Sequence, residues 1–212
     1  ASRIGFICDN CVEFAELWLA TQKIGVVAVL LNYRAKKEEI ARDVRRSNCN
    51  ALFYSPKWKE SISLRNISDS DVRYLISFGD STIDGHINLD YICSVSDNTE
   101  PNVKIKETNF STILYTSGST EGEADFDPWR YATSGRPVFV ESLGAMQMAA
   151  EHEYYKTESI CILSHSPLFH TGGLSMLMKS LALNGSYIGV NHLDPETYGS
   201  LIEKYKVTQL FL

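Results

Sequence analysis

Six consecutive residues, Tyr115-Thr116-Ser117-Gly118-Ser119-Thr120, set four short hydroxyl side chains around one glycine, directly after the apolar pair Ile113 and Leu114. A buried strand opening into such a loop offers backbone N–H groups and hydroxyls that can surround phosphate oxygens. Gly118 permits positive φ and close approach of the backbone to a ligand. Further on, Ser166-Pro167-Leu168-Phe169-His170-Thr171-Gly172-Gly173 holds a histidine in a turn at the end of a strand, followed by small residues. Taken alone, the first string is ordinary loop chemistry and His170 is a ring packed in a loop; the surroundings decide whether either does more. His165 and His192 stand in no such setting and read as structural or surface residues. Cys8-Asp9-Asn10-Cys11 is formally a C-x-x-C, but no second pair and no nearby histidine completes a zinc site. A structural role where a strand meets a helix is expected for it. The five cysteines, at 8, 11, 49, 93 and 161, follow no framework spacing, which points to a reducing compartment.

These groups need stiff elements to carry them. Residues 3–7 alternate into a strand; Asp9 or Asn10 can cap a helix whose apolar positions Val12, Ala15, Leu19 and Ile24 recur at helical spacing, with Gly25 ending it. Residues 26–31 form a continuous apolar strand, the pattern of a sheet covered on both faces. A charged amphipathic helix is expected over 36–47, with Lys36, Lys37, Arg42, Arg45 and Arg46 as its solvated face, and strands over 51–54 and 72–78. Beyond the loop, helices are expected over 142–155, 172–183 and 194–206, and strands over 160–163, 187–190 and 207–212. The β/α alternation predicts an α/β fold, a parallel β-sheet with flanking helices. The chain divides into an α/β portion at 1–79, a polar linker-like segment at 80–106, and a second α/β portion at 107–212 carrying the loop.

Composition narrows the classes. A chain of 212 residues with 44% hydrophobic and 22% charged residues can bury a sizeable core. A net charge of −6 argues against nucleic acid or an acidic membrane surface as the main partner. The longest apolar run, 26–31, is far too short to span a bilayer, and no signal peptide precedes the first strand. The expected location is therefore intracellular, in the cytoplasm or on the cytoplasmic face of a membrane.

The loop resembles the phosphate loop of the adenylate-forming superfamily, which runs Tyr-Thr-Ser-Gly-Ser/Thr-Thr-Gly-x-Pro-Lys-Gly; Tyr115 to Thr120 match its first six positions. Pro167-Leu168-Phe169-His170 is similar to a second signature of that family. Asn10-Cys11-Val12-Glu13-Phe14 and the Gly25 to Asn32 segment resemble two that precede the loop. Leu31-Asn32-Tyr33-Arg34 and Met146-Gln147-Met148-Ala149-Ala150 resemble the fatty-acid-transport and very-long-chain acyl-CoA synthetase branch. The resemblance implies the large N-terminal domain of that fold, ATP and Mg²⁺ as cofactors and coenzyme A as co-substrate. It implies activation of a fatty acid through an acyl-adenylate, with peripheral membrane association of the full-length protein. Thr116, Ser117, Gly118, Ser119, Thr120 and Gly135 would bind the nucleotide phosphates, Thr120 would reach the metal, and His170 would be the catalytic residue beside the carboxylate pocket.

Departures from the pattern carry equal weight. After Thr120 the family's Gly-x-Pro-Lys-Gly is missing; the pattern resumes at Gly135-Arg136-Pro137-Val138, which makes 121–134 an insertion and puts Val138 where the family has a lysine. A rival alignment takes Gly122 as the loop glycine. The insertion brings Glu121, Glu123, Asp125 and Asp127, which repel a triphosphate unless Mg²⁺ intervenes. Signatures that follow later in the family have no counterpart here, so the chain is expected to be a front portion that does not complete the reaction alone. Three alternatives stay open: a non-catalytic binding or regulatory module of the same fold, an adenylating enzyme for an aryl or small carboxylic acid, and a mis-joined coding segment at 121–134.

Overall fold

A computed structural model of the chain describes residues 2–61, 70–79, 85–106, 109–115, 132–134, 160–192 and 194–212. It divides into two compact units, Ala1–Gly135 and Arg136–Leu212.

In the first unit the order is β1 (Arg3–Ile7), α1 (Val12–Ile24), β2 (Val27–Leu30), α2 (Lys37–Arg46) and β3 (Ala51–Tyr54). A 3-10 turn (Pro56–Ser61), β4 (Tyr74–Ser77), β5 (Ile87–Asn88), α3 (Leu89–Val95), β6 (Phe110–Leu114) and β7 (Ala132–Ser134) follow. The strands form one sheet in the order β5-β4-β3-β1-β2-β6-β7. All neighbours are parallel except β6 and β7, which pair antiparallel. β2 lies between β1 and β6 and is buried along its whole length, which is why its sequence is an unbroken apolar run. Phe6 on β1 packs its ring 5.1 Å from Phe14 of α1 and 5.6 Å from Phe53 of β3, joining helix and sheet in the core.

The second unit holds β8 (Cys161–Ser164), α4 (Thr171–Ala182), β9 (Ser186–Gly189), α5 (Pro195–Tyr205) and β10 (Gln209–Phe211). Its sheet is parallel, in the order β10-β8-β9. Asp194 caps α5 by accepting the Thr197 N–H at 2.9 Å, with Pro195 opening the helix.

The α/β architecture and the parallel sheet agree with the sequence expectation, and four local readings change. α1 starts one residue after Cys11, whose side chain makes no capping bond. Asp9 is instead paired with Lys57 at 3.1 Å, and Asn10 is buried. The buried face of α1 is Phe14, Trp18 and Thr21, while Val12, Leu19 and Ile24 are exposed. The segment read as a linker, 80–106, contains β5 at the sheet edge and α3 beside it. The last three residues of the segment read as an insertion, 132–134, are β7, so that part is a sheet strand. The helix expected over 142–155 lies outside the described residues.

Candidate functional site

β6 carries the hydroxyl-rich string out of the first sheet. Its residues Thr112 and Ile113 are buried against β2, with Ala28 opposite Thr112 and Leu30 opposite Leu114. α1 holds this strand from one face, the buried Trp18 Nε1–H donating to Thr112 Oγ1 at 3.2 Å. At the end of β6, Tyr115 turns its hydroxyl toward α2, donating to the carbonyl of Asp43 at 2.9 Å and meeting Ser47 Oγ in a further hydrogen bond. Burial pushes the Tyr115 phenol far above its ordinary value, against the opposing effect of Ser47, so it stays protonated and keeps both bonds. The strand that launches the loop is thus fastened to two helices. Thr116, Ser117, Gly118, Ser119, Thr120 and Gly135 lie outside the described residues, as do 121–131 and Val138.

A second group of side chains clusters after β2 and β3. The Tyr33 and Trp58 rings lie 4.9 Å apart, the Arg34 guanidinium sits 5.3 Å from the Tyr33 ring, and Lys57 Nζ sits 5.2 Å from the Trp58 ring. Open parallel sheets bind ligands beyond the carboxyl ends of their strands. Tyr33 is buried and Lys57 is also paired with Asp9 at 3.1 Å, so the cluster ties the ends of β2 and β3 to the start of α1.

In the second unit, His170 is the N-cap residue of α4. Its N–H donates to the Pro167 carbonyl at 3.0 Å, and its own carbonyl accepts the Leu174 N–H at 3.0 Å. The imidazole is exposed and lies against the Phe169 ring, centroids 4.6 Å apart, while Leu168 and Phe169 are buried. The turn owes its shape to the glycines after it. A Cβ on Gly173 would stand 2.3 Å from the Pro167 carbonyl oxygen, and one on Gly172 would stand 3.2 Å from the Phe211 ring. Ser164, fully buried, accepts the Ser166 N–H at 3.0 Å and fixes the start of the turn. His165, read as structural, places Nδ1 in a buried position with no hydrogen-bond partner among the described residues.

Sequence reasoning placed His170 in a turn at a strand's end, whereas the structure has it as the N-cap of α4, six residues after β8; it missed the anchors of Tyr115. The aromatic ring and terminal hydroxyl of Tyr115 were visible, but its partners Asp43 and Ser47 are about seventy residues away in the chain. Among the described residues no group of three His, Cys, Asp or Glu side chains could hold a metal ion. No helix among them is long and apolar enough to cross a membrane.

Against known proteins, the model of a family described as AMP-binding enzyme matches residues 1–122. That match runs through the hydroxyl-rich loop and stops within the departure that follows it. The 4-coumarate–CoA ligase of Pinus taeda is 23% identical over 95% of this chain and 36% of its own length. The very long-chain fatty acid transport protein of Saccharomyces cerevisiae is 22% identical over 87% of this chain and 27% of its own. Among solved structures, a long-chain-fatty-acid-CoA ligase from Archaeoglobus fulgidus superposes with a TM-score of 0.81 at 16% identity, covering 99% of this chain and 39% of that one. The chain spans about a third of the length of the curated relatives it matches.

Proposed function

The chain belongs to the family of AMP-binding enzymes, and from that premise we propose that it serves the ATP-dependent activation of a fatty acid to its coenzyme A thioester through an acyl-adenylate. The observation that carries this reading is the Tyr115 to Thr120 string at the carboxyl end of β6, inside the matched residues. When bound, ATP would supply the α-phosphorus that the carboxylate attacks with loss of pyrophosphate, Mg²⁺ would neutralise phosphate charge, and coenzyme A would supply the thiol that takes the acyl group from the adenylate. The donor set fits that nucleotide: Thr116, Ser117, Ser119 and Thr120 offer hydroxyls, and Gly118 and Gly135 leave backbone open to the phosphates. Mg²⁺ on a triphosphate keeps waters and takes few protein ligands, and Thr120 would be this loop's contribution. Tyr115, held by Asp43 and Ser47, fixes the last described residue before the loop. His170, exposed at the start of α4, would meet the carboxylate substrate, and Gly172 and Gly173 keep that turn in place.

Two other readings have specific support. The 4-coumarate ligase relative favours an aryl carboxylate in place of a fatty acid. The carboxylates Glu121, Glu123, Asp125 and Asp127, with Val138 in place of lysine, favour a module that keeps the fold and has lost the chemistry. Peripheral membrane association of a longer protein is in keeping with the yeast transport relative.

Calorimetric titration of the chain with ATP, with and without Mg²⁺, tests the reading. Binding that strengthens with Mg²⁺ and disappears in Gly118→Val supports it. Absence of binding in both the parent and a variant lacking 121–131 moves the assignment to the non-catalytic module.

A further inference from the structure

The ligase reading leaves Cys8 and Cys11 without a part, and the structure gives the pair a setting that spacing alone did not reveal. Cys8 directly follows β1, is 2% exposed, and points its thiol at the Phe53 carbonyl of β3, 3.9 Å away. Cys11 is the N-cap of α1 in an extended conformation, half-buried, with no capping bond to occupy its sulfur. The two cysteines stand three residues apart across the turn between β1 and α1, where the Cys11 side chain adds to the effect of burial on the Cys8 thiol, and neither is in a disulfide. No third ligand completes a metal group there among the described residues. A buried and a half-buried thiol set three residues apart on one turn leave thiol–disulfide exchange as the chemistry available. Cys49 and Cys161 are buried in other elements, and Cys93 is exposed on α3.

We propose that Cys8 and Cys11 are a dithiol site that closes to an intramolecular disulfide on reaction with a small disulfide of the glutathione type. Cys11, the more accessible sulfur, loses its proton and attacks one sulfur of glutathione disulfide. The S–S bond of the oxidant breaks, one glutathione leaves with the proton, and a mixed disulfide remains on Cys11. Cys8 then attacks the Cys11 sulfur and passes its own proton to the departing second glutathione. Two protein thiols are oxidised and one glutathione disulfide is reduced to two thiols. Burial keeps Cys8 a thiol, well above its ordinary value, and the Cys11 contact adds to that, so Cys8 acts only once the mixed disulfide has formed beside it. Closure withdraws the Cys8 thiol from the Phe53 carbonyl and fixes the turn that carries Asp9, the partner of Lys57. None of this depends on the ligase reading.

The test uses the whole native chain with glutathione disulfide, followed by acid quenching, alkylation and tryptic digestion. Cleavage after Arg3 and Lys23 releases one peptide, 4–23, that contains both sulfurs and no other cysteine. The expected product is that peptide two hydrogens lighter than its dithiol form, unalkylated, and restored by reductant. Cys8→Ser is expected to leave a stable glutathione adduct on Cys11. Cys11→Ser, which installs a favoured N-cap residue and so keeps the helix, is expected to leave Cys8 unmodified. The proposal is overturned if peptide 4–23 is recovered with both thiols alkylated when Cys93 has already been modified. A lasting glutathione adduct on Cys11 in the parent chain, or an adduct on Cys8 in Cys11→Ser, overturns it equally.

Discussion

Tyr115 and Gly173 each tie a candidate site to its scaffold, one through a hydroxyl and the other through the absence of a side chain. Replacing Tyr115 by Phe keeps the ring and removes both hydroxyl bonds, leaving the buried Ser47 hydroxyl without this partner while the Asp43 carbonyl keeps the Ser47 N–H. A loss of about 1–3 kcal/mol in unfolding free energy is expected, measured by urea denaturation. A change under half of that lower figure would mean the hydroxyl anchors nothing. Gly173→Ala places a methyl 2.3 Å from the Pro167 carbonyl oxygen, a clash with backbone that cannot swing aside. Overpacking of this kind costs about 1–3 kcal/mol and here displaces the turn that bears His170. Gly199, in the middle of α5, has nothing within 4 Å of the same position, so Gly199→Ala is expected to stabilise by roughly 0.5–1 kcal/mol. Opposite signs at two helical glycines, read in parallel melts, separate packing from helix propensity; equal signs would refute the assignment at Gly173.

At the scale of elements, the strands were legible because their burial is written locally, and the helix faces were less so. β1, β2 and β3 follow their apolar runs to within a residue. In α1, Val12, Ala15, Leu19 and Ile24 form one apolar stripe and Phe14 and Trp18 another, both at helical spacing. The sheet selects the aromatic stripe, since Phe14 reaches Phe6 and Trp18 reaches Thr112, and those partners come from distant strands. The same non-local logic hides the contact between β3 and the segment before β5, where the buried Tyr54 hydroxyl and His86 Nδ1 share a hydrogen bond. Burial holds the His86 imidazole below its ordinary value, so the ring is neutral and able to accept. A folded value below the unfolded one of about 6.5 means the unfolded chain takes the proton first. This contribution is therefore complete above that pH and lost as pH falls below it through the folded value. The urea midpoint is expected to drop between pH 7 and 5 more steeply in the parent than in His86→Gln, which keeps an acceptor without titrating. Parallel slopes would show that His86 is not the group responsible.

For the molecule as a whole, the family and its fold were readable because they rest on short strings in a fixed order, and the state of the nucleotide site was not. The string through Thr120 lies inside the family match, which stops at residue 122, where the four carboxylates at 121, 123, 125 and 127 begin. Adding residues to a loop is nearly free for folding, about 0.6 kcal/mol for each doubling of length. Placing donors on a triphosphate demands positions good to about half an ångström, and carboxylates beside it add repulsion that the net charge of −6 reinforces. β7 restricts how this is tested, since residues 132–134 pair with β6 and their removal would unmake a strand as well as shorten the loop. Deletion of 121–131 with Val138→Lys keeps β7, removes the four carboxylates and restores one fixed cation. One charged hydrogen bond regained corresponds to about tenfold to a hundredfold in affinity. Calorimetry with Mg²⁺ and ATP is expected to give a gain of that size over the parent, shrinking at high salt as a charge effect must. An unchanged affinity in a variant that melts like the parent would show that the carboxylate-rich segment is not what limits nucleotide binding. The loss would then belong to donors outside this chain's loop, and the non-catalytic reading would gain accordingly.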